Sequence, residues 1–563
     1  MIRVNELKFE LDEPFTESAL RQKILKKTKL KADQLQGFKI IRESVDARKG
    51  IVFSYVVDIE TNKSALLNKN GFANSPPPFT PIDLTHREIL NQIKCFDDER
   101  PIVIGFGPGG IFASLQLARA GLNPIVLEMG EAVEDRQKTV DLFWSTGELN
   151  PKSNVQFGEG GAGTFSDGKL TTRIKDQRIE FVLTQMVEAG APEEIIYKNK
   201  PHIGTDLLSK VVVNLRNEIR HLGGEVHFGK EVVDFIDQRS HVEVICGDGS
   251  KYRSRYVVLA VGHSARGLFE KLRDFGMSME KKPFAMGLRI EHPQILIDAV
   301  QYGKFRGHEK LGAAEYKLTF GASNGRSVYS FCMCPGGRVV GSASEDGGLV
   351  VNGMSYHSRN LANANSALLV NVTPDDFESE DVLAGMYLQR KIEQLAFAFG
   401  GRNFTAPVEK LETFLNLTTD ENAFKTKLKL NDYNAYFNQL GIDYENVMLK
   451  YAPSYTPEIK SVDMSEILPP FMHNALVEAI CHFGKQIPGY DDPRVVVTAV
   501  ESRSSSPIRM MREPEGLKSI SHPYFYPCGE GAGYAGGITS SAVDGVKVAE
   551  RIIEDLIKRH SLI

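Results

Sequence analysis

The chain has 563 residues, 42% of them hydrophobic, and a formal net charge of −5. That length has room for roughly two to four domains with filled cores, and the acidic balance speaks against general nucleic-acid binding through a basic surface. No apolar run approaches the ~20 residues that span a bilayer, and Met1-Ile2-Arg3-Val4-Asn5-Glu6 lacks a signal-peptide core, so a cytoplasmic protein is expected.

Residues 1 to about 90 read as a small separate α+β unit. Arg3 to Phe9 alternates like a strand, Glu17 to Leu30 has helical spacing, and Lys39 to Glu43 and Ile51 to Ile59 are strand-like. Lys23, Lys26, Lys27, Lys29 and Lys31 make the helix basic. A solvated face accounts for them, with a nucleic-acid or partner contact as the competing account. Asn74-Ser75-Pro76-Pro77-Pro78-Phe79-Thr80-Pro81 then breaks regular structure.

A nucleotide-binding domain is expected to begin near Asp98. The run Ile102-Val103-Ile104 leads into Gly105-Phe106-Gly107-Pro108-Gly109-Gly110, a GxGxxG between a strand and an amphipathic helix. Gly105 suits the tight turn, Gly107 the approach of a pyrophosphate, and Gly110 close helix–strand packing, with Pro108 and Gly109 opening the helix. Its free amides and dipole favour phosphate. A second strand, Pro124 to Leu127, ends at Glu128, 23 positions after Gly105, where a carboxylate would accept ribose hydroxyls. No Arg follows directly to receive a 2′-phosphate, which leaves FAD or NAD rather than NADP. Phe157 to Leu170 contains a second GxGxxG spelling, Gly158 to Gly163, but no apolar strand precedes it, so it is not a second fingerprint.

Thr205 to Leu222 is helical and stops at Gly223-Gly224. Glu225 to Ile236 and His241 to Cys246 read as neighbouring strands turned at Asp237-Gln238. Arg255 to Gly262 reads as a buried parallel strand. The chain returns to this domain only at its end, through Tyr526-Pro527-Cys528-Gly529-Glu530-Gly531 and Ala535-Gly536-Gly537-Ile538. A final helix follows, with apolar face Ala542, Val546, Ala549, Ile553 and Leu556. The expected fold class is therefore α/β: a discontinuous Rossmann-type domain from 98–280 and 490–563, an inserted α+β cap or substrate domain over 281–489, and the amino-terminal α+β unit over 1–90.

The Rossmann start with Glu128, the Val257 to Gly262 strand and the late Gly529-Glu530 resemble FAD flavoproteins of the glutathione reductase superfamily. The single-dinucleotide layout is similar to the para-hydroxybenzoate hydroxylase branch. More narrowly, the chain resembles a bacterial family of uncharacterised FAD-dependent dehydrogenases over nearly its full length. The segments that carry this are Ser44 to Arg48, Phe157 to Leu170, Lys200 to Asp206, Phe331 to Gly337 and Glu501 to Arg509. Where relatives have Gly-Asp this chain has Gly529-Glu530, which puts contact distances in question more than the role.

The resemblance implies FAD, and the glycine-rich return at the far end of the chain points the same way, since NAD dehydrogenases need no such second contact region. The helix start at Ile538, Thr539 and Ser540 would favour negative charge at flavin N1, with Gly537 before it and Thr539 or Ser540 as cap. The resemblance carries the loop Gly160, Gly161, Gly163 and Thr164 across the pyrophosphate and flavin. It brings Ser166, Asp167 and Lys169 near the ring, where Lys169 would polarise the flavin, hold an anion or form a loop ion pair. Met129, Val232, Ala260 and Gly262 complete the expected cofactor wall. Arg136 either packs near adenine or phosphate, as in relatives, or is an exposed helical arginine.

The implied activity is an FAD-dependent oxidoreductase moving a hydride between flavin N5 and an unidentified small organic substrate, with NAD(P)H as a transient donor. The other class is a non-catalytic flavin-responsive or RNA-associated protein; DNA and membranes are not expected partners. Arg503 and Arg509 flank a Ser/Pro turn and would clamp an anionic substrate, against the account that both make structural ion pairs. His263 at the strand end is a further catalytic candidate, against a structural hydrogen-bonded His. Cys332 and Cys334 alternate in a strand and should face one side, as a redox relay or, far more commonly, a buried packing pair. Six cysteines without CxxC form no disulfide framework, thioredoxin-type pair or zinc ribbon, and His473 and His482 lack ligand spacing, so no metal site is expected.

Overall fold

The computed structural model describes residues 1–47, 50–82, 86–90, 100–416 and 430–561. Arg48 of the Ser44 to Arg48 segment and the expected domain start at Asp98 lie outside the described residues.

The amino-terminal unit has the order strand, helix, strand, strand, helix, strand. Ile2–Glu10, Leu35–Asp46, Val52–Thr61 and Ala73–Asn74 form an antiparallel sheet in which Val52–Thr61 and Ile2–Glu10 are central. Alternation, reset by a bulge between Val4 and Leu7, puts Ile2, Val4, Leu7, Phe9, Phe53, Tyr55, Val57 and Ile59 on one face, where Leu20 and Ile24 of the helix Glu17–Thr28 cover them. That helix starts at Thr16, whose hydroxyl accepts from Ala19 N at 3.1 Å. It ends two residues earlier than its spacing predicts, because Lys29 turns left-handed at φ 59°. Arg3 and Asp58 pair at 2.8 Å, and Lys39 reaches Glu180 on the helix Arg178–Glu188 at 2.8 Å.

A parallel sheet forms the centre. Its order is Phe525–Pro527, Val257–Leu259, Ile102–Ile104, Ile125–Leu127, Glu225–His227. Its three inner strands are three residues long and buried throughout, as the apolar runs predict. The helix Pro108–Arg119 leaves the first glycine turn, and the carboxy-terminal helix Ile538–Ser561 packs along it. A Cβ on Gly545 would overlap the Gly109 carbonyl, so the two helices touch through backbone. Ala542, Val546, Ala549, Ile553 and Leu556 are all fully buried, as their spacing predicts.

Two sequence-based boundaries change. The expected strand Glu225 to Ile236 is two strands in two sheets: Glu225–His227 closes the parallel sheet, and Val232–Asp237 pairs with Val242–Cys246 and then Lys251–Ser254. Gly229, at φ 69°, makes the break, and Gly229 N and Lys230 N bond to Gly130 O and Glu128 O at 3.1 and 2.9 Å. The second change is at the end of the middle region. Its eight-stranded sheet has Phe284–Pro293 and Asn363–Val372 at its heart, with Ser327–Gly341, Thr319–Gly321 and Val351–Met354 beyond one edge. On the other side come Val496–Glu501, Ala406–Lys410 and Ile459–Ser461. Val496–Glu501 thus lies in this sheet, past the boundary expected at 489, because its register against Phe284–Pro293 is antiparallel. The chain enters after Met279–Lys281 and leaves before Ile508–Met510, and these two segments pair with each other.

Gly110 makes the tightest contact at the first turn, since a Cβ there would overlap the Gly105 carbonyl. Gly110→Ala is expected to destabilise the protein by about 1–3 kcal/mol, the cost of overpacking, read as a lower midpoint in thermal unfolding.

Candidate functional site

A cavity of about 620 Å³ opens at the carboxyl ends of the parallel strands and continues to the antiparallel sheet. This lies within the ~300–1,000 Å³ of cofactor and ligand sites. Of the expected cofactor residues, Gly105, Gly107, Pro108, Gly109, Glu128, Met129, Gly161, Gly163, Val232, Ala260, Gly262, Gly529, Glu530, Gly537 and Ile538 line it. Lys169, His263 and Arg503 line it too. Gly110, Arg136, Gly160, Thr164 and Arg509 do not.

The four non-lining cofactor candidates build the wall from behind. Gly110 serves the helix–strand contact. Gly160, at φ 82°, donates its amide to Phe106 O at 2.8 Å, and Thr164 Oγ1 donates to Glu159 O at 3.3 Å. Arg136 is neither exposed nor at the cavity. It is fully buried, and its guanidinium donates to Asn154 O at 2.8 Å and to Val155 O and Gly161 O at 3.0 Å, and also to Glu159 O. Burial lowers it to about 10, still protonated at neutral pH, so one cation binds the whole loop 154–161 by its carbonyls. Arg216 completes the clamp through Glu159 at 2.7 Å and Glu134 at 2.6 Å.

Glu128 ends its strand with the carboxylate buried at the cavity wall. It accepts from Phe106 N at 2.7 Å, Gly130 N at 2.9 Å and Gly158 N at 3.0 Å. On the far side, Gly529 N donates to Asp544 Oδ2 at 2.7 Å, and Arg512 forks onto Asp544 at 2.7 and 3.0 Å. Sequence reasoning missed Asp544 and Arg512. The clue was present: an acid on the buried side of the last helix needs a partner. Thr539 Oγ1 donates to Leu170 O at 2.8 Å rather than capping its helix, and Ser540 Oγ accepts from Gly536 N at 3.2 Å.

The groups facing the cavity fit FAD. Two helix starts, at Pro108 and Ile538, turn orphan amides toward it. A Cβ at Gly105 would overlap the Ala260 carbonyl, and one at Gly161 would come within 3.2 Å of Gly107 Cα, so a diphosphate would meet bare backbone there. Glu530 lines the cavity and accepts no side-chain hydrogen bond among the described residues, leaving a carboxyl for ribityl hydroxyls. Burial raises it to about 7 against the pull of Lys282.

The end of the cavity that meets the antiparallel sheet carries Lys169, Asp167, Cys332, Cys334, Arg289, Glu501 and Arg503. Lys169 Nζ holds Asp167 at 2.6 Å and donates to Met333 O. Burial opposes both charges, but the Lys169 and Arg359 cations bring Asp167 down to about 2. Burial lowers His263 to about 3, with Arg503 and Arg266 adding to it, so the imidazole is neutral. Arg503 is no open clamp: it forks onto Glu393 at 3.0 and 2.8 Å. Arg509 turns away and meets Glu280 at 3.1 Å beside Tyr534. The cysteine pair is split. Cys332 is exposed to the cavity at φ 40°, on a strand whose register shifts after Phe331, while Cys334 is buried and donates to Cys332 O at 3.2 Å. Although it faces the cavity, Cys332 is enclosed by protein away from bulk water, and that desolvation pushes its thiol up to about 12.

His482 contacts Gln486, and His473 lies beside Phe414 with the two rings tilted by 53°. Among the described residues no group of three metal-ligating side chains occurs, and no helix is long and apolar enough to cross a membrane.

Residues 283–441 and 441–504 match a family described as FAD-dependent protein, C-terminal domain-like, and residues 1–60 match a domain of unknown function. An uncharacterized protein of Clostridium beijerinckii is 46% identical over 561 residues, 98% of each chain. Among solved structures, the halogenase PltM is 9% identical over 83% of this chain and 70% of its own, at a TM-score of 0.35. CtdE in complex with FAD is 11% identical over 82% and 92%, at 0.28. FAD is the cofactor of this chain.

The Glu530 carboxyl keeps its proton to about 7 when folded against 4.5 in the open chain, so it costs stability as pH rises through that window. Glu530→Gln is expected to raise the thermal midpoint of FAD-free protein near pH 8 and leave it unchanged near pH 4. Arg503→Met strands part of the buried Glu393 charge and is expected to cost about 3 kcal/mol in denaturant unfolding.

Proposed function

Because the chain belongs to the same full-length family as the Clostridium beijerinckii protein and uses FAD, we propose that it is an FAD-dependent oxidoreductase acting on a small organic substrate. The observation that carries this reading is the continuity of the cavity. One space runs from Gly105 and Glu128 past Gly161 and Lys169 to Cys332 and Glu501 on the antiparallel sheet. A protein that only stored the nucleotide would need no second wall before the reacting end.

In this reading the parallel sheet, its flanking helices and the carboxy-terminal helix form one discontinuous Rossmann-type domain. The antiparallel sheet is its inserted cap, bounded by the paired segments Met279–Lys281 and Ile508–Met510, and the first 90 or so residues are an appended α+β domain. The turn Gly105 to Gly110 and the helix amides behind it would receive the diphosphate, and Glu128 would accept the ribose hydroxyls. The helix start at Ile538 would meet the pyrimidine edge.

When bound, the flavin supplies two-electron hydride chemistry at N5. The protein's part is position, charge and dryness. Lys169, fixed by Asp167 and Met333 O, keeps a cation beside the reacting end. His263 stays neutral there and makes a ring contact with Ser264 at 3.1 Å. Phe331 and the Cys332 strand form the wall of the space on the cap side. NAD(P)H would enter transiently over the flavin as electron donor.

Purified protein is expected to be yellow and to release FAD, not FMN, on denaturation; protein that stays colourless after incubation with FAD would falsify the reading. Glu128→Arg should weaken FAD at least tenfold, since it removes an acceptor, frees three amides and adds a misplaced charge. Equilibrium dialysis of the apoprotein checks this.

A further inference from the structure

The cations that face the reacting end are already answered from inside the protein. Arg289 forks onto Glu501 at 2.7 and 3.0 Å, and both residues are buried. Arg503 and Arg266 share Glu393, whose carboxyl they hold well below the ordinary carboxylate range. Arg266 also meets Glu345 at 2.6 Å, and Glu345 in turn meets Arg390 at 2.9 Å. Lys169 and Arg359 share Asp167, with Glu315 on the far side of Arg359. At the opposite end Lys152 and Lys230 pair with Glu231 and Asp248. Lys271 has no ion pair among the described residues, but it is exposed and belongs to the parallel-sheet side. A substrate carboxylate at the reacting end would have to displace a buried glutamate and leave it without a partner, a heavy penalty in a dry site.

One polar side chain on this wall is free. Asn352, on the strand Val351–Met354, lines the cavity, and its carboxamide makes no hydrogen bond among the described residues. Its position is fixed by its neighbour. A Cβ on Gly353 would overlap both the Arg289 guanidinium and the Asn365 side-chain oxygen, so the strand lies flat against the neutralised Arg289 fork. The other open group is the Cys332 thiol, uncharged at neutral pH. What the wall offers is a neutral donor and acceptor set in an ion-paired, charge-balanced surround.

We propose that the site selects an uncharged organic substrate bearing a carbonyl or hydroxyl group, oriented by the Asn352 carboxamide, and rejects carboxylates and phosphates. This rests on the oxidoreductase reading above. The test uses FAD-loaded protein titrated with benzamide and with benzoate, probes of the same shape that differ in charge, followed by perturbation of the flavin absorbance. Benzamide is expected to bind at least tenfold more tightly than benzoate, because one neutral probe can pair with Asn352 while the anion finds no free cation. Asn352→Leu should keep its FAD and lose roughly tenfold of benzamide affinity. Equal binding, tighter benzoate, or no perturbation by either probe overturns the proposal. So does an Asn352→Leu protein that keeps benzamide affinity or loses FAD. Parent protein that takes up no FAD defeats the oxidoreductase reading as well, which separates the two failures.

Discussion

Three backbone amides from separate segments converge on the one carboxylate of Glu128. The convergence brings the first glycine turn, the end of the second strand and the loop at Gly158 within a few ångströms of each other. Every other feature of the cavity presupposes it. The loop can lie there only because Arg136 gathers its carbonyls from beneath and Gly158 leaves room, since a Cβ would overlap the arginine's own stem. Polar groups that elsewhere would need water are satisfied by one anion and one cation on opposite sides of a single loop. The binding surface is then bare backbone, which is what a diphosphate requires.

Local features of this design were legible in the sequence. Gly105, Gly107 and Gly110 are spaced by the geometry of one turn, and the apolar face of the last helix by its own 3.6-residue period. What could not be read were partners set by the tertiary fold. The Arg503 guanidinium looks like an open clamp until Glu393, 110 positions earlier, is folded against it. Arg136 reads equally as a neighbour of the adenine or phosphate and as an exposed helical arginine until the loop 154–161 wraps over it. Strand identity failed for the same reason. Glu225 to Ile236 has one continuous β-pattern, yet Gly229 sends its halves into different sheets. Val496–Glu501 is an apolar run like the parallel strands, and only its register assigns it to the other sheet.

The cavity walls differ in kind. The parallel-sheet wall presents two helix starts and bare glycine backbone, with the Glu128 carboxylate set among them and Lys152, Lys230 and Lys271 at its margin. The antiparallel wall is dense in formal charge, yet each charge is matched within a bond length or two by its opposite. Fixed ion pairs of this sort give a polar surround that need not reorganise as charge moves nearby. They also make the inner wall rigid, because loosening one fork in the Arg503, Glu393, Arg266 and Glu345 chain unsettles the next.

The edge strand Phe525–Pro527 and the helix Ile538–Ser561 complete a sheet whose other strands are all present by Leu259. A ribosome emits the chain in order, at about 5–20 residues per second. The helix Pro108–Arg119 therefore waits on the order of tens of seconds, its apolar side uncovered, while the intervening strands are synthesised. During that interval the nascent chain lacks the segment that covers this helix in the finished fold. Translation speed across the middle of the message, and any chaperone that shields the helix meanwhile, become part of how much functional protein a cell obtains.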